Sequence, residues 1–186
     1  AQALLAVMAS FYVVYHGQDG IKTITAQIHS KAVTLHEGIT GAGYEAINDT
    51  FFDTISFKAT ADQIAAIRKK AEEKEINLRY FEGGFGLSAD ETMTLQDVND
   101  VISLVGGREV ALFSAKSTIP SSLNRKTEFL THPVFKSHHS ETEMMRYIKK
   151  LENRDMSLTH SMISLGSCTM KLNAASEMLP LSHPGF

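Results

Sequence analysis

The stretch FFDTISFKATADQIAAIRKKAEEKEINLRYF, residues 51–81, most constrains the fold because its hydrophobic period changes twice. Ile55 and Phe57 alternate with polar residues, which is typical of a strand with one wet face. Thr60 and Gln63 then form a capping-box pattern that opens a helix. The closing letters INLRYF return to strand composition. A strand, a helix and a strand in this order predict an α/β fold, with a right-handed crossover if the strands lie parallel.

Helical patterns precede this unit. An apolar helix is predicted from Gln2 to about Tyr15, and we expect it to be buried because it is apolar on nearly all sides. The letters HGQDG end it. A second helix follows and ends near the glycines of HEGITGAG. Its apolar stripe consists of Ile21, Ile24, Ile28, Ala32 and Leu35.

A hairpin and a further helix are predicted after the unit. Three glycines, Gly83, Gly84 and Gly86, loosen the chain around a short hairpin. Thr94 and Asp97 then indicate a helix start, and two glycines end that helix at residues 106–107. The whole order, helix, helix, strand, helix, strand, strand, helix, predicts a small α/β sandwich.

Composition limits the classes of function. Hydrophobic residues make up 43% of the 186 residues, so the chain can bury a core. The net charge of −3 gives no general attraction to nucleic acid or anionic lipid, and neither is predicted as a partner. The apolar N-terminal run is short for a membrane span and lacks signal-peptide features. One cysteine forms no internal disulfide, which fits a reducing compartment.

The polarity of the chain changes after about residue 115. We predict a small α/β domain over residues 1–115, an extended polar linker over 116–139, and a helix with an irregular arm over 140–186. Ser140 and Glu143 form a capping-box pattern at the start of that last helix. The chain has no initiator Met and stops at HPGF without a closing element, so we expect a piece of a longer protein.

A crowded set of potential metal ligands does not predict a metal site. The set is His132, His138, His139, Glu141 and Glu143. Its histidines lie in the predicted linker, whereas metal sites use convergent ligands on rigid elements. Its glutamates fall in the first turn of a helix, where they complement the helix dipole. GITGAG likewise follows a helix, so it does not match a dinucleotide-binding pattern.

The stretch HSMISLGSCTMKLN, residues 160–173, leaves two interpretations open. It carries hydroxyl and backbone donors on a compact loop, at Ser164, Gly166, Ser167 and Thr169. Such a loop can bind phosphate or carboxylate, and Lys171 would add charge. The alternative is a polar turn between buried stretches. Cys168 would be a nucleophile only beside a base or a positive field, and otherwise it is a small, partly buried thiol.

Two long motifs carry a resemblance to a known family. The run HSETEMMRYIKKLENRDMSLTHSMISLGSCTMKLNAASEMLP, residues 139–180, closely resembles the glycine decarboxylase P-protein family of the glycine cleavage system. The opening AQALLAVMASFYVVYHGQDGIKTI is similar to the same family near the end of its first half. The sequence departs from the family pattern at Ser164, where proline is expected, and at residues 183–186.

The resemblance implies a fragment of a larger enzyme. Family members are several times longer and carry two related halves, each a fold type I transferase dependent on pyridoxal phosphate. Residues 1–115 would then be the small C-terminal α/β domain of the first half, and 140–186 would begin the second half. The Schiff-base lysine belongs to a domain beyond this chain, so Lys171 is not the candidate.

The reaction implied by the resemblance releases carbon dioxide from glycine and passes the aminomethyl group to the lipoyl arm of the H-protein. By similarity, Ser167, Cys168 and Thr169 would lie nearest the cofactor or substrate, where they would bind anions and wall the pocket. The implied partners are lipoylated H-protein, glycine, the remainder of the P-protein and further subunits in a homo- or hetero-oligomer. The implied location is a bacterial cytoplasm or, alternatively, a mitochondrial matrix. The competing hypothesis is a free-standing α/β interaction or regulatory module without catalysis.

Overall fold

The computed structural model describes residues 2–154, His160 and residues 179–185. The chain divides into two compact units, Ala1–Lys136 and Ser137–Phe186. The described residues form a mixed α/β structure with four α-helices and one three-stranded antiparallel sheet. The elements of the first unit are α1 (Gln2–Gly41), β1 (Thr54–Lys58), α2 (Ala61–Glu73), β2 (Arg79–Phe81), β3 (Gly84–Ser88) and α3 (Leu95–Leu104), followed by short 3-10 helices at Ser121–Leu123 and Pro133–Lys136. The second unit contains α4 (Glu141–Glu152) and a 3-10 helix at Leu179–Ser182.

The sheet has the strand order β1-β3-β2. Both outer strands are antiparallel to the central β3, with Phe57 opposite Phe85 on one side and Tyr80 opposite Phe85 on the other. β1 and β2 are therefore parallel to each other, as the predicted strand–helix–strand unit allows, but β3 lies between them. The predicted hairpin joins β2 to β3, and Gly83 adopts φ 82 in its turn, a conformation that favours glycine.

One face of the sheet forms the core of the first unit. Cross-strand partners share a face, so the pairs Ile55–Leu87 and Phe57–Phe85 point to the same side. These four side chains are buried in one cluster with residues of α1, α2 and α3. Thr54, Ser56 and Ser88 occupy the opposite, polar face. The predicted alternation in β1 is thereby confirmed.

The predicted helix starts at Thr60 and Thr94 are confirmed. At each, the threonine side chain accepts a hydrogen bond from the backbone N–H of the third helical residue. The side chain of that third residue accepts a hydrogen bond from the backbone N–H of the threonine. α3 ends beside Gly106, which adopts φ 76. The predicted strand INLRYF is shorter than expected. Only Arg79–Phe81 pair with β3, and residues 76–78 do not extend this ladder.

The first predicted helix is correct in extent but wrong in burial. α1 is interrupted at Gly17, whose backbone is non-helical (φ 62, ψ −171), so HGQDG does break the helix. The stripe that follows is confirmed, with Ala32 and Leu35 fully buried. Residues 2–10 are instead exposed on every side. An apolar sequence favours burial, but within the described part of the first unit nothing covers this end of the helix.

The second unit shows an amphipathic helix. Ser140 caps α4 by accepting a hydrogen bond from the Glu143 N–H at 3.3 Å, which confirms the predicted start. None of its side chains is buried. Of all the helices described in the two units, none is long and apolar enough to cross a membrane.

Candidate functional site

The site predicted from the sequence lies outside the described residues. Ser167, Cys168 and Thr169 belong to the stretch 161–178, and Lys171 belongs to it as well. Of the predicted irregular arm, the structure describes His160, which is exposed, and residues 179–185. The assignment of these site residues therefore stays a prediction.

The crowded histidines and glutamates have local structural roles where they are described. The ring of His138 stacks on Tyr147 with centroids 4.2 Å apart and planes 15° apart. Nδ1 of His132 accepts a hydrogen bond from the Val134 N–H at 3.2 Å. Among the described residues, no group of three or more His, Cys, Asp or Glu is placed to hold a metal ion.

The described structure does reveal a polar strap, which we define as residues 114–118, bound along the second half of α1. Ser30 donates its hydroxyl proton to the Ser114 carbonyl, and the Ser114 N–H donates to Thr34 Oγ1 at 2.7 Å. Farther along, Lys116 Nζ pairs with Glu37 Oε1 at 2.7 Å. Positions 30, 34 and 37 lie on one stripe of a helix. This stripe fixes the chain where it leaves the sheet domain.

His29 ties the strap to a third segment. Its Nε2 accepts hydrogen bonds from the Thr118 N–H at 3.2 Å and from the Ser117 hydroxyl at 3.1 Å. Nδ1 must then carry the ring proton, and it donates to the Phe52 carbonyl at 2.8 Å. The ring also stacks on Phe52. One buried imidazole therefore joins α1, the turn before β1 and the strap.

The electrostatics of the strap favour the bound state. The hydrogen bond from Lys116 holds the pKa of the Glu37 carboxyl below its usual range, more than partial burial raises it. The same bond raises the pKa of the Lys116 ammonium above its usual range. Both groups are consequently charged across the neutral range, and their attraction adds a small, solvent-screened contribution to the hydrogen bonds that hold the strap.

A buried lysine, Lys31, holds the loop before α3. Its Nζ donates to the Asp90 carbonyl at 3.1 Å and to the Glu91 carbonyl at 2.9 Å. The side chain of Asp90 accepts from the Thr92 hydroxyl and from the Thr92 and Met93 N–H groups, which lowers the pKa of Asp90. The amine of Lys31 is thus bonded to the backbone in a structural role.

An open cleft of about 790 Å³ lies against the polar face of the sheet. Three of its charged side chains are bonded within the protein. Lys74 pairs with Asp100 at 2.6 Å, and Asp97 completes the cap of α3 through Thr94. Hydrogen bonds from Lys74 and Gln96 lower the pKa of Asp100. Because these three charged side chains are already bonded within the protein, we assign them no catalytic role.

Comparison with known proteins identifies the family of the chain. The family model described as glycine cleavage system P-protein matches residues 1–105. The chain belongs to that family. It is 49% identical, over its full length, to the glycine dehydrogenase (decarboxylating) of Vibrio vulnificus strain YJ016. Proteins of the same name from Christiangramia forsetii, over 99% of the chain, and Bacteroides thetaiotaomicron, over all of it, are each 52% identical.

The share of each relative that the chain covers is equally informative. It spans about a fifth of the length of these P-protein relatives, so it corresponds to one segment of them. The family match runs from α1 to the end of α3 and so covers the sheet domain. The α1 residues that bind the polar strap were not predicted from the sequence. Their polar spacing could be seen, but their partners lie about eighty positions away.

Proposed function

We propose that this chain is a segment of the glycine decarboxylase of the glycine cleavage system. The observation that carries the proposal is identity of about 50% over the whole chain to proteins named glycine dehydrogenase (decarboxylating). The parent would release carbon dioxide from glycine and transfer the remaining aminomethyl group to the lipoyl arm of the H-protein. Its partners would be that lipoylated protein and other copies or subunits. The bacterial relatives support a bacterial cytoplasm as its location.

We further propose how the segment is divided within the parent. Residues 1–115 would be the small C-terminal domain of a first half with fold type I architecture. Residues 116–139 would link the halves, and 140–186 would open the second half. The mixed α/β structure of the first unit supports the first assignment. The strap supports the second, because it fixes the start of the connecting segment on α1.

The pocket residues would be Ser167, Cys168 and Thr169. Two hydroxyls, a thiol and the adjacent backbone N–H groups are a donor set that fits the phosphate of pyridoxal phosphate or the carboxylate of glycine. When bound, the cofactor supplies an electron sink for the departure of carbon dioxide. The three residues would orient the anionic group and exclude water from the reacting centre. Cys168 would contribute shape and not nucleophilic attack.

The lysine that binds the cofactor would lie outside this chain. The described structure is compatible with this, since its buried lysine, Lys31, is bonded to two backbone carbonyls. Borohydride reduction of the complete protein with pyridoxal phosphate, followed by peptide mapping, should place the adduct outside residues 1–186. An adduct at Lys171 would contradict the assignment.

The function is tested on the complete protein that contains this segment. Carboxyl-labelled glycine, pyridoxal phosphate and lipoylated H-protein should give release of labelled carbon dioxide. Thr169→Ala and Ser167→Ala should lower kcat/KM by about tenfold or more, on the scale of a lost charge-assisted hydrogen bond. Cys168→Ser should reduce it only modestly, with little change in stability. A complete protein that is folded, binds the cofactor and shows no release of carbon dioxide would favour the non-catalytic module.

A further inference from the structure

The first turns of α1 form an exposed apolar surface. Leu4 and Leu5 are each 66% exposed, Val7 is 49% exposed and Met8 is 58% exposed. No Asp, Glu, Lys or Arg occurs before Asp19. We call these four side chains the apolar face of α1. A charge-free helix with such a face is unusual on a water-exposed surface, where large apolar patches mark interaction sites.

The apolar face is continuous, because helical geometry places its four side chains on one side of the helix. At about 100° per residue, the four side chains fall within an arc of roughly 160°. Small residues, Ala3, Ala6 and Ala9, take the opposite side. Ser10 returns its hydroxyl proton to the Ala6 carbonyl at 2.8 Å, so its polar group is satisfied within the helix. A partner that binds this surface would therefore remove few polar groups of the helix from water.

Cover by the first unit begins only farther along α1. Val14 is buried, and the Tyr12 hydroxyl donates to Glu91 at 3.5 Å. The backbone break at Gly17 then leads into the buried second half. The apolar face therefore lies on the same rigid helix as these anchored residues and has a fixed place at the edge of the unit.

We propose that the apolar face of α1 docks onto an apolar surface of the same polypeptide, formed by a part of the parent protein outside residues 1–186. This inference rests on the proposed function, which makes the chain a segment of a longer enzyme. Relatives of this chain carry about four-fifths of their length beyond the matched region, and the family match includes the helix itself. A partner within the same chain is held at high effective concentration, which suits a face of only four large side chains.

A photocrosslink in the complete protein tests the proposal. A benzoylphenylalanine probe is placed at Met8 and, as a matched control on an exposed helix position of the same unit, at Glu73. Irradiation should join the probe at position 8 to a peptide outside residues 1–186 within one polypeptide, and the product should keep the mass of a single chain. The probe at position 73 should give no such link.

Three outcomes would overturn the proposal. The first is a product with the mass of two chains, which would indicate a second copy. The second is a link confined to residues 1–186, and the third is the absence of any link at position 8.

A second measurement guards against disturbance by the bulky probe. M8C and E73C are made in the complete protein, and alkylation at each position is followed by peptide-resolved mass spectrometry. Relative to the urea-unfolded protein, the thiol at position 8 should react more than about tenfold more slowly, while that at position 73 should be protected far less. Equal rates at the two positions would contradict docking. Neither experiment uses catalysis, so an inactive but crosslinked protein would refute the proposed function without refuting the docking.

Discussion

The two halves of α1 differ in sequence and in surroundings. Residues 2–16 are apolar, uncharged and largely exposed, whereas residues 18–41 carry charges and yet bury Ala32, Val33 and Leu35 completely or nearly so. A single residue, Gly17, separates them. The more hydrophobic half is therefore the less buried one within the described structure.

The difference shows that an apolar sequence favours burial, but that its side chains are buried only where another surface packs against them. The second half of α1 has its partners in the same unit, because β1, α3 and the polar strap all pack on it. Residues 2–10 of the first half are exposed, and cover by the described residues of that unit begins only near Tyr12 and Val14. The apolar face would then obtain its cover from elsewhere in the parent, as proposed above.

A leucine-to-alanine substitution in each half of α1 should reveal the largest difference in stability. Leu35→Ala should destabilise the chain by about 2–5 kcal/mol, because it removes a fully buried side chain and leaves a cavity. In residues 1–186 by themselves, Leu5→Ala should change the free energy of unfolding by less than about 0.5 kcal/mol, as expected of an exposed position. Urea unfolding followed by circular dichroism measures both. Similar losses from the two variants would show that the halves are equally packed.

The junction between the halves gives the next largest effect. Gly17 adopts a backbone conformation that L-residues rarely take, so Gly17→Ala should cost about 1–3 kcal/mol or shift the direction of the first half. Gly41→Ala is the matched control, since its φ is ordinary and no atom lies within 4 Å of an added Cβ. The unfolding midpoint should fall in the first variant and hold in the second. An unchanged midpoint for Gly17→Ala would mean that the break in α1 is not fixed.

Local sequence signals predicted most of the elements of the first unit. The alternation around Ile55 and Phe57, and the threonine caps at Thr60 and Thr94, depend on residues close in sequence, and the structure confirms each. The shortening of the predicted strand INLRYF could not be foreseen, because it depends on where the pairing between β2 and β3 ends. The exposure of Leu4 and Leu5 could not be foreseen either, since burial depends on a surface distant in sequence or absent from the chain.

The candidate site shows the same limit. Family resemblance drew attention to Ser167, Cys168 and Thr169, which lie outside the described residues and stay a prediction. The contacts of His29 with the strap have no signature in sequence. A histidine near the middle of a helix is as compatible with an exposed face as with a buried one, and its partners at Ser117 and Thr118 are about ninety residues away.

The polar contacts of the second half of α1 also contribute to its stability. His29→Ala should cost about 1–3 kcal/mol, because it leaves the Phe52 carbonyl and the Thr118 N–H without their partner. Ser117→Ala removes only one of the two donors to Nε2 and should cost less. Hydrogen exchange at the Thr118 amide should accelerate in the His29 variant. Unchanged exchange would mean that the strap is held mainly by its other contacts.

The smallest expected effect concerns the ion pair between the strap and α1, and it depends on pH. The pKa of Glu37 is lowered by the hydrogen bond from Lys116, so the carboxylate stabilises the folded state at pH values above the ordinary glutamate range. That contribution is lost as the pH falls through the lowered pKa, where the carboxyl becomes protonated. Glu37→Gln should cost less than about 1 kcal/mol at pH 7, because the Glu37 side chain is 42% exposed and solvent screens the pair. The difference between parent and variant should shrink as the pH falls below the ordinary glutamate range and vanish below the lowered pKa of Glu37. Urea midpoints measured from pH 7 down through the acid range test this, and a difference that persists once the carboxyl is protonated would show that the loss does not depend on its charge.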